Sequence, residues 1–570
     1  MLEGCTPWPE AFARRYRAEG YWQGITLGQM LERSMRRHPD KLAVVDGEKM
    51  ASYRELVERS DLLAAQFAQL GLRSRERVVF QLTNSIELLY AFFALLRIGA
   101  IPVMALPAHR LTEVGHFARH AQAVAHLVPA ASDRFDYGAL AEEVRAAVPS
   151  IRLVVTAGAP ARGHISLSAL LESEADWQAL GRVRADAFHD AADVAVMILS
   201  GGTTAISKII PRTHDDYVYN CTQSAAVAGF DENTVYLAAL PLAHNYTLAS
   251  PGVLGTLAHG GTVVIATDPA PQTAFPLIER HRVTVVAGGV PVAARWLAAA
   301  EHEQYDLSSL EIFMNGGARL MPELRRRIEE RFGCTYVESF GTGEGLLNQT
   351  RLDDPEEIRF HSSGRPVSPG DEIKVIDPVG NEVPDGVVGE LAVRGPYTVR
   401  GYYNAPEANA SAFTADGFYR LGDAVRRVDG YLYVEGRFKD LINRGGEKIS
   451  AEEIENHIVA HPAVTNVCVV AMPDEQFGEK ACAFVITRPE RTLEFTELQE
   501  FLIGRGIARF KLPERLEVLD AFPLSPAGKV LRRELRALIV ARLQAERDAA
   551  TNAFAPRDSN DSNELQGDTR

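Results

Sequence analysis

Short apolar segments recur along the first half of this chain, and longer amphipathic stretches separate them. This alternation is typical of strand–helix–strand units, in which helices cover both faces of a parallel sheet. It therefore predicts an α/β fold with parallel sheets. The candidate strands are LAVVDG (42–47), RVVFQL (77–82), IPVMALP (101–107), HLVPA (126–130), LVVTAG (153–158), VAVMILS (194–200), TVYLAALPL (234–242), GTVVIAT (261–267) and VTVVAGG (283–289).

The composition and the hydrophobic pattern of the sequence change after Gly364. Residues 371–404 are rich in Gly, Pro and alternating Val, which predicts antiparallel strands joined by tight turns. A further break falls near GRFKD (436–440), and the pattern beyond it predicts a small α+β domain. We therefore predict a large domain over residues 1–436, a small domain over 441–546 and a disordered polar tail over 547–570.

Composition excludes several classes of function. A chain of 570 residues is too long for one core, and its net charge of −15 is unsuited to non-specific binding of nucleic acid. The five cysteines form no CxxC motif, so we expect neither a zinc site nor disulfides, and free thiols fit a cytoplasmic location. The most apolar stretch, residues 88–107, is interrupted by Arg97, Gly99 and Pro102, so it predicts a buried helix and a strand, not a membrane span.

The stretch LSGGTTAISKIIPRTHDDY (199–217) places a turn rich in glycine and hydroxyl groups directly after a candidate strand. Such a turn exposes backbone N–H groups at the carboxyl edge of a sheet, and its glycines let a phosphate approach closely. No GK[ST] ends the loop, so it is not a Walker motif. An ordinary Gly/Thr loop is the alternative. The candidate phosphate-binding residues are Ser200, Gly201, Gly202, Thr203, Thr204 and Lys208.

Four further stretches carry polar residues at strand ends or on loops: PLAHNYTLASPG (241–252), VESFGTGEGLLNQTRLDD (337–354), residues 417–455 and PLSPAGKVLRREL (523–535). Together with the phosphate loop, and in this order, they resemble the adenylate-forming superfamily of acyl-CoA synthetases, luciferases and adenylation domains. The resemblance spans nearly the whole chain. It is closest to the stand-alone aryl-acid:AMP ligases of siderophore and nonribosomal peptide assembly, through segments such as IPVMALPAHR, IPRTHDDY, AHNY, EGLLNQTRLDD and INRGGEKI.

The resemblance implies two half-reactions. A carboxylate attacks the α-phosphate of ATP, which gives an acyl adenylate and pyrophosphate. A phosphopantetheine thiol then takes the acyl group, and AMP leaves. The implied cofactors are ATP and Mg²⁺, the substrate is a small aromatic acid, and the partner is an aryl carrier protein acting in trans, with no role for nucleic acid or a membrane.

The resemblance also implies roles for individual residues. Ser200 to Thr204 and Lys208 would hold the β- and γ-phosphates, and Glu344 would ligate Mg²⁺, a hard cation that prefers oxygen. Lys529 would bridge the acid and the α-phosphate in the transition state. The nucleoside would be bound by Gly316, Gly317, Ala318, Ser339, Phe340, Gly341, Thr342, Asp423 and Arg437.

The small domain is expected to swing about a hinge at residues 437–440, which contains Lys439. That motion would withdraw Lys529 and open a thiol tunnel lined by Gly445 and Gly446. His244 would gate the acyl pocket as a further catalytic residue. The alternatives are a packed histidine at His244, a core aromatic at Phe340, a solvated lysine at Lys529, and a surface ion pair of Asp423 with Arg437.

By the same resemblance, the acid pocket comprises Asn245, Tyr246, Ser250, Gly288, Gly289, Gly316 and Leu347. Amino-acid-activating relatives usually have Asp at position 245; a neutral amide cannot offset an ammonium charge, but it can bond an ortho-hydroxyl. Leu347 replaces the Val of relatives that use 2,3-dihydroxybenzoate, which favours salicylate. Gly288 and Gly289 replace larger residues, which would admit a hydroxylated heteroaryl or bicyclic acid such as a picolinate or quinaldate, unless neighbouring side chains refill the space.

Three positions depart from the family pattern. Ala205 and Ser207 stand where Gly and Pro are usual in TTG-x-PK, and Gly343 precedes Glu344 where Ala or Thr is usual. Ala205 and Ser207 act on the loop backbone and remove neither a hydroxyl, the lysine nor the metal ligand, whereas Gly343 is expected to loosen Glu344. We therefore expect slower adenylation at worst. Two other functions remain open: an aryl-CoA ligase that uses free CoA, and a non-catalytic ATP-binding relative.

Overall fold

The chain divides into two compact units, Met1–Glu435 and Gly436–Arg570. The computed structural model describes residues 1–130, 135–174, 176–186, 190–200, 207–300, 302, 305–444, 447–524 and 530–553.

The helices, in chain order, are α1 (Glu10–Ala18), α2 (Leu27–Arg37), α3 (Tyr53–Gln69), α4 (Ile86–Arg97), α5 (Leu111–His120), α6 (Tyr137–Ala147), α7 (Leu167–Glu172), α8 (Trp177–Asp186), α9 (His214–Val227), α10 (Asn245–Ala249), α11 (Gly252–Ala258), α12 (Pro271–His281), α13 (Val290–Ala300), α14 (Pro322–Phe332), α15 (Glu356–His361), α16 (Pro406–Ala412), α17 (Ala451–Ile458), α18 (Phe495–Gly504) and α19 (Arg532–Ala553). Short 3₁₀ turns span Phe438–Asp440 and Arg509–Lys511.

The strands are β1 (Leu42–Asp46), β2 (Lys49–Ser52), β3 (Arg77–Phe80), β4 (Ile101–Met104), β5 (Ala125–Pro129), β6 (Leu153–Ala157), β7 (Ile165–Ser166), β8 (Val194–Leu199), β9 (Ile209–Thr213), β10 (Val235–Ala238), β11 (Thr262–Ile265), β12 (Val285–Gly288), β13 (Ile312–Gly316), β14 (Thr335–Thr342), β15 (Gly345–Gln349), β16 (Arg365–Pro366), β17 (Glu372–Ile376), β18 (Gly389–Arg394), β19 (Tyr419–Val428), β20 (Tyr431–Arg437), β21 (Ile442–Arg444), β22 (Glu447–Ile449), β23 (Val464–Asp474), β24 (Gly478–Thr487) and β25 (Arg515–Val518).

Two large sheets form the body of the first unit. One has the order β7-β6-β5-β3-β4-β8-β9 and is parallel except for its last pair, where β8 and β9 run antiparallel. The other has the order β16-β15-β14-β13-β12-β10-β11-β1-β2, with a parallel centre from β14 to β1 and antiparallel strands at both edges. Apolar strands flanked by helices bury both faces of each sheet, and the predicted α/β class is confirmed.

A third sheet of the first unit, β17-β18-β19-β20, contains the antiparallel strands predicted from the Gly- and Val-rich segment. The second unit is smaller. Its sheet has the order β22-β21-β24-β23, and β25 pairs in parallel with β24. The predicted large domain of α/β sheets with a β-rich part, followed by a smaller α+β domain, is therefore confirmed as a fold class.

Helix α4 and strand β4 account for the most apolar stretch of the sequence. Ser85 caps α4 by accepting the backbone N–H of Leu88, and the helix ends at Arg97. Arg97 is itself buried, and its charge is offset by ion pairs with Asp61, at 2.9 Å, and Glu32. Within the described ranges, no helix is long and apolar enough to cross a membrane.

Helix α19 corrects the predicted start of the disordered tail at residue 547. The helix continues to Ala553, because the segment AERDAATNA is rich in residues with high helix propensity. Residues 554–570 of that predicted tail lie outside the described residues.

Candidate functional site

Two hydrogen bonds between Ser200 and Lys208 join the two ends of the candidate phosphate loop. We call this pair of residues the neck of the loop. The N–H of Ser200 donates to the Lys208 carbonyl at 2.9 Å, and the N–H of Lys208 donates to Oγ of Ser200 at 2.9 Å. These bonds extend the β8–β9 pairing, in which Leu199 lies opposite Ile209. The two ends of the loop are thereby fixed next to each other at the edge of the sheet, with the exposed Lys208 beside them.

Lys208 and Glu344 both contact Tyr402, one at the ring and the other at the hydroxyl. Nζ of Lys208 lies 4.6 Å from the centroid of the Tyr402 ring, and the Tyr402 hydroxyl donates a 2.7 Å hydrogen bond to Oε1 of Glu344. Tyr419 lies beside them, with 3.3 Å between the two phenolic oxygens. Burial, reinforced by the Glu344 charge, raises the pKa of both tyrosines, so they remain neutral. The sequence analysis assigned no role to Tyr402, because no motif marks it as a contact of both charged residues.

Glu344 is a buried carboxylate, 6% exposed, in the turn between β14 and β15. Among the described residues, no group of three or more His, Cys, Asp and Glu side chains could hold a metal alone. Mg²⁺ does not need such a cage, because it is commonly bound through one or two carboxylates together with substrate phosphates. A single carboxylate close to the neck of a phosphate loop fits that pattern.

Arg212 anchors the main chain next to Glu344. Its fully buried guanidinium pairs with Asp216 at 2.7 Å and donates to the carbonyls of Gly343, at 2.9 Å, and Tyr397, at 3.2 Å. A Cβ on Gly343 would lie 3.1 Å from Cδ1 of Ile210 in β9, so the glycine lets this turn pack closely on the hairpin. The hydrogen bond from Arg212 thus opposes the loosening of Glu344 that we expected from Gly343.

The predicted nucleoside-binding residues lie mostly along the adjacent ends of β13 and β14. Gly316 pairs with Ser339, and Gly317 and Ala318 follow directly. Phe340 is half-buried and packs against the main core. This packing is what the alternative interpretation of Phe340, as a core aromatic and not an adenine contact, requires. Gly341 lies opposite Leu347, and Thr342 donates from Oγ1 to the Gly345 carbonyl at 2.7 Å.

The two residues expected at the ribose differ in exposure. Asp423 lies in β19 and is only 6% exposed, so it is not a plain surface residue. Arg437 ends β20 and is exposed.

The acid-pocket residues of α10 converge on one another. His244 caps this short helix, and its Nδ1 accepts the backbone N–H of Tyr246 at 3.2 Å. Oδ1 of Asn245 accepts a 2.8 Å hydrogen bond from the Tyr217 hydroxyl, and Nδ2 lies 3.5 Å from Oγ of Ser250. The capping bond gives His244 a structural role as well as the proposed one.

Two side chains of the proposed acid pocket pack directly on glycines at the ends of β13 and β14. A Cβ on Gly316 would lie 2.6 Å from the Tyr246 ring, so the ring rests directly on the backbone. Leu347 is buried against Gly341 in the same way, at 3.1 Å. The ring of Tyr246 and the side chain of Leu347 therefore lie at the ends of adjacent strands, where parallel sheets bind ligands.

The two pocket glycines differ in the space around them. A Cβ on Gly288 would lie 3.1 Å from Phe313 and 3.3 Å from Val292, so neighbouring side chains have refilled that position. At Gly289 the nearest atoms are the Gly316 carbonyl oxygen, at 3.6 Å, and Cδ of Pro291, at 4.0 Å. Any extra room therefore lies at Gly289.

Several predicted site residues fall in segments that the structure does not describe. Those that lie outside the described residues are Gly201, Gly202, Thr203, Thr204, Gly445, Gly446 and Lys529. Ala205 lies outside them as well. Lys439 falls in the 3₁₀ turn Phe438–Asp440.

Comparison with known proteins finds matches along most of the chain. The AMP-binding enzyme family matches residues 31–403, and the AMP-binding enzyme C-terminal domain matches residues 453–529. The 2,3-dihydroxybenzoate-AMP ligase of Bacillus subtilis (strain 168) is 48% identical over 96% of this chain and 99% of its own length. A 2-hydroxy-7-methoxy-5-methyl-1-naphthoate–CoA ligase of Streptomyces carzinostaticus is 45% identical over 94% of this chain and 97% of its own length. The apo structure of Mycobacterium smegmatis MbtA is 41% identical with a TM-score of 0.71, covering 94% of this chain and 98% of that one.

Proposed function

Because this chain belongs to the AMP-binding enzyme family and is an aryl-acid adenylating enzyme, we propose that it activates a hydroxylated aromatic acid and then passes it to a carrier protein. In the first step a carboxylate oxygen bonds to the α-phosphorus of ATP, the bond to the bridging β-phosphate oxygen breaks, and pyrophosphate leaves. In the second, the phosphopantetheine thiol of a separate aryl carrier protein displaces AMP. The carrier, the acid and the assignment to siderophore or peptide assembly are parts of this proposal.

The observation that carries the proposal is the arrangement of Lys208, Tyr402 and Glu344 at the neck of the phosphate loop. Two anions must meet in the first step, so the site must neutralise charge. Ser200 to Thr204 and Lys208 would hold the β- and γ-phosphates. Glu344 would hold Mg²⁺, which when bound offsets phosphate charge.

The remaining assignments follow the family pattern. Asp423 and Arg437 would bind the ribose, and Lys529 would bridge the carboxylate and the α-phosphate. Lys439 would lie at the hinge, and Gly445 and Gly446 would line the thiol tunnel. Adenine would lie between Phe340 and the segment Gly316–Ala318, and His244 would gate the acyl pocket.

The acid that fits best is an aryl acid with a polar atom ortho to the carboxylate. Asn245 supplies an amide and not a carboxylate, which disfavours an ammonium group. Leu347 fills space beside Gly341, whereas a Cβ at Gly289 would meet its nearest neighbours only at ordinary contact distances, so this position is less crowded than Gly288. We therefore favour salicylate-like acids, including those whose second ring extends toward Gly289. One relative is named as the ligase of a hydroxynaphthoate, which is a bicyclic acid of this kind.

An ATP–pyrophosphate exchange panel tests the proposal. The acids would be salicylate, 2,3-dihydroxybenzoate, picolinate, quinaldate and 2-hydroxy-1-naphthoate, with benzoate as the reference. We expect exchange with ortho-substituted acids and loss of at least about a hundredfold in the Lys529→Ala variant, because charge at the α-phosphate is then uncompensated. Unchanged turnover in that variant would refute the proposed role of Lys529. Salicylate exceeding every bicyclic acid would refute the second-ring assignment.

The aryl-CoA ligase alternative is favoured by one observation, the name of the naphthoate relative as a CoA ligase. It shares the first half-reaction and differs only in the thiol. Thioester formation with free CoA, compared with a carrier protein that bears phosphopantetheine with a free thiol, separates the two. The non-catalytic alternative would require ATP binding without exchange for any acid, and the placement of Lys208 and Glu344 about Tyr402 disfavours it.

A further inference from the structure

A buried tyrosine holds the side-chain amide of Asn245. The hydroxyl of Tyr217, on α9, donates a 2.8 Å hydrogen bond to Oδ1 of Asn245. An amide offers one acceptor oxygen and one donor nitrogen, so a bond made to the oxygen leaves the NH₂ group directed elsewhere. That nitrogen lies 3.5 Å from Oγ of Ser250, another of the proposed acid-pocket residues.

Arg212 favours the role of Tyr217 as a donor. Its guanidinium carbon lies 4.8 Å from the centroid of the Tyr217 ring, and both side chains are fully buried. A cation above a phenol ring draws electron density from it and polarises the O–H bond. Burial raises the pKa of Tyr217, so the phenol keeps its proton.

The opposite orientation of the amide is disfavoured by hydrogen-bond accounting. If Asn245 were flipped, its NH₂ group would face the phenol, and the buried O–H of Tyr217 would lose this acceptor. A buried donor left unsatisfied carries the full desolvation penalty of that group. The pair therefore has one preferred arrangement, in which the pocket side of Asn245 is a hydrogen-bond donor.

We propose that Tyr217 is a positioning residue that makes the acid pocket a hydrogen-bond donor and thereby selects aryl acids with an acceptor atom ortho to the carboxylate. The inference rests on the proposed function. A 2-hydroxyl oxygen or a ring nitrogen meets the requirement. An ortho-amino group does not, because its lone pair is delocalised into the ring and its two N–H bonds would face the NH₂ group of Asn245.

The test compares salicylate, picolinate and anthranilate by ATP–pyrophosphate exchange in the wild-type protein and in Tyr217→Phe. The variant keeps the ring stacked on Arg212 and removes only the donor hydroxyl. We expect the wild type to prefer salicylate and picolinate over anthranilate, and the kcat/KM ratio of salicylate to anthranilate to fall about tenfold in the variant. The fall should come mainly from a higher KM for salicylate, with the KM for ATP unchanged.

Tyr219→Phe is the matched control. Tyr219 lies on the same helix and is also buried, but its hydroxyl pairs with Oγ of Ser368 at 2.8 Å, not with Asn245. Its removal should leave the salicylate-to-anthranilate ratio unchanged.

Three results would overturn the inference while leaving the proposed function intact. The first is a wild-type protein whose kcat/KM is higher for anthranilate than for salicylate. The second is an unchanged salicylate-to-anthranilate kcat/KM ratio in Tyr217→Phe. The third is an equal fall of that ratio in Tyr217→Phe and Tyr219→Phe. The first result is measured on the wild-type protein alone, so it does not depend on whether a variant folds. A wild type that activates no aryl acid would instead overturn the proposed function, and this inference with it.

Discussion

At the scale of single residues, Asp371 is a carboxyl group whose ionisation opposes folding. It accepts a 2.6 Å hydrogen bond from the Tyr397 hydroxyl, and the same hydroxyl receives the backbone N–H of Leu347 at 3.2 Å. Burial raises the pKa of Asp371 to about 8. Burial also raises the pKa of the neighbouring Tyr397 and Tyr219, so neither phenol ionises in the same range.

This raised pKa predicts a pH-dependent stability that Asp371→Asn removes. The folded state binds the proton more tightly than the unfolded state, so the stability is greatest in acid and falls as pH rises from about 4 to about 8. Between pH 6 and pH 9 the wild type should lose about 2–3 kcal/mol more of its unfolding free energy than the variant.

Urea unfolding at both pH values measures this difference. Asp377→Asn is the control, because hydrogen bonds from neighbouring backbone N–H groups lower the pKa of that exposed aspartate out of this window. Parallel pH profiles for the wild type and Asp371→Asn would contradict the assignment.

At the scale of elements, the turn from β9 into α9 depends on the buried pair of Arg212 and Asp216. Asp216 also closes the capping box of α9, where it accepts from the backbone N–H and the hydroxyl of Thr213. Arg212 joins this turn to the main chain beside Glu344. The same helix end thus supports both the candidate metal ligand and, through Tyr217, the acid pocket.

Asp216→Asn should destabilise the protein by about 3–5 kcal/mol, because it leaves the Arg212 charge buried without its counter-charge. Arg280→Ala is the control: its partner, Glu48, lies 3.3 Å away, and both side chains are more than half exposed. An exposed pair of this kind contributes about 0–1 kcal/mol. Equal losses in the two variants, measured by urea unfolding, would show that the buried pair has no special role.

The β8–β9 hairpin shows where sequence patterns were insufficient. Both strands are short and apolar, and such a pattern is the same for parallel and antiparallel pairing. The sequence indicated a strand before the phosphate loop but not that the next strand returns alongside it. The two bonds between Ser200 and Lys208 depend on that return.

At the scale of the whole molecule, the chain consists of two compact units that meet in sequence at Glu435 and Gly436. The proposed reaction needs the second unit to take two positions, with Lys529 present for adenylation and withdrawn for thioester formation. Lys439, in the proposed hinge, would change its backbone angles between them.

Lys439→Pro should therefore separate the two half-reactions. Proline fixes φ near −65°, so only one of two backbone conformations remains accessible. We expect one half-reaction to persist while the other falls at least about tenfold, measured as pyrophosphate exchange and as thioester formation on a carrier protein. Lys439→Ala is the control, since it changes the side chain and leaves φ free. Equal rates for Lys439→Pro and wild type in both assays would remove the hinge from the proposal.

The amino-acid sequence alone was enough for the fold class and for the family, because both depend on features that are local in the chain. Strand and helix periodicity is read over a few residues, and each family motif is a short run with its own spacing. Which side chains meet was not accessible in this way. Arg212 reaches Gly343 and Tyr397 across 131 and 185 residues, and Tyr217 reaches Asn245 across 28. Those contacts exist because the folded sheets bring distant strand ends together, and no periodicity along the chain records which ends become neighbours.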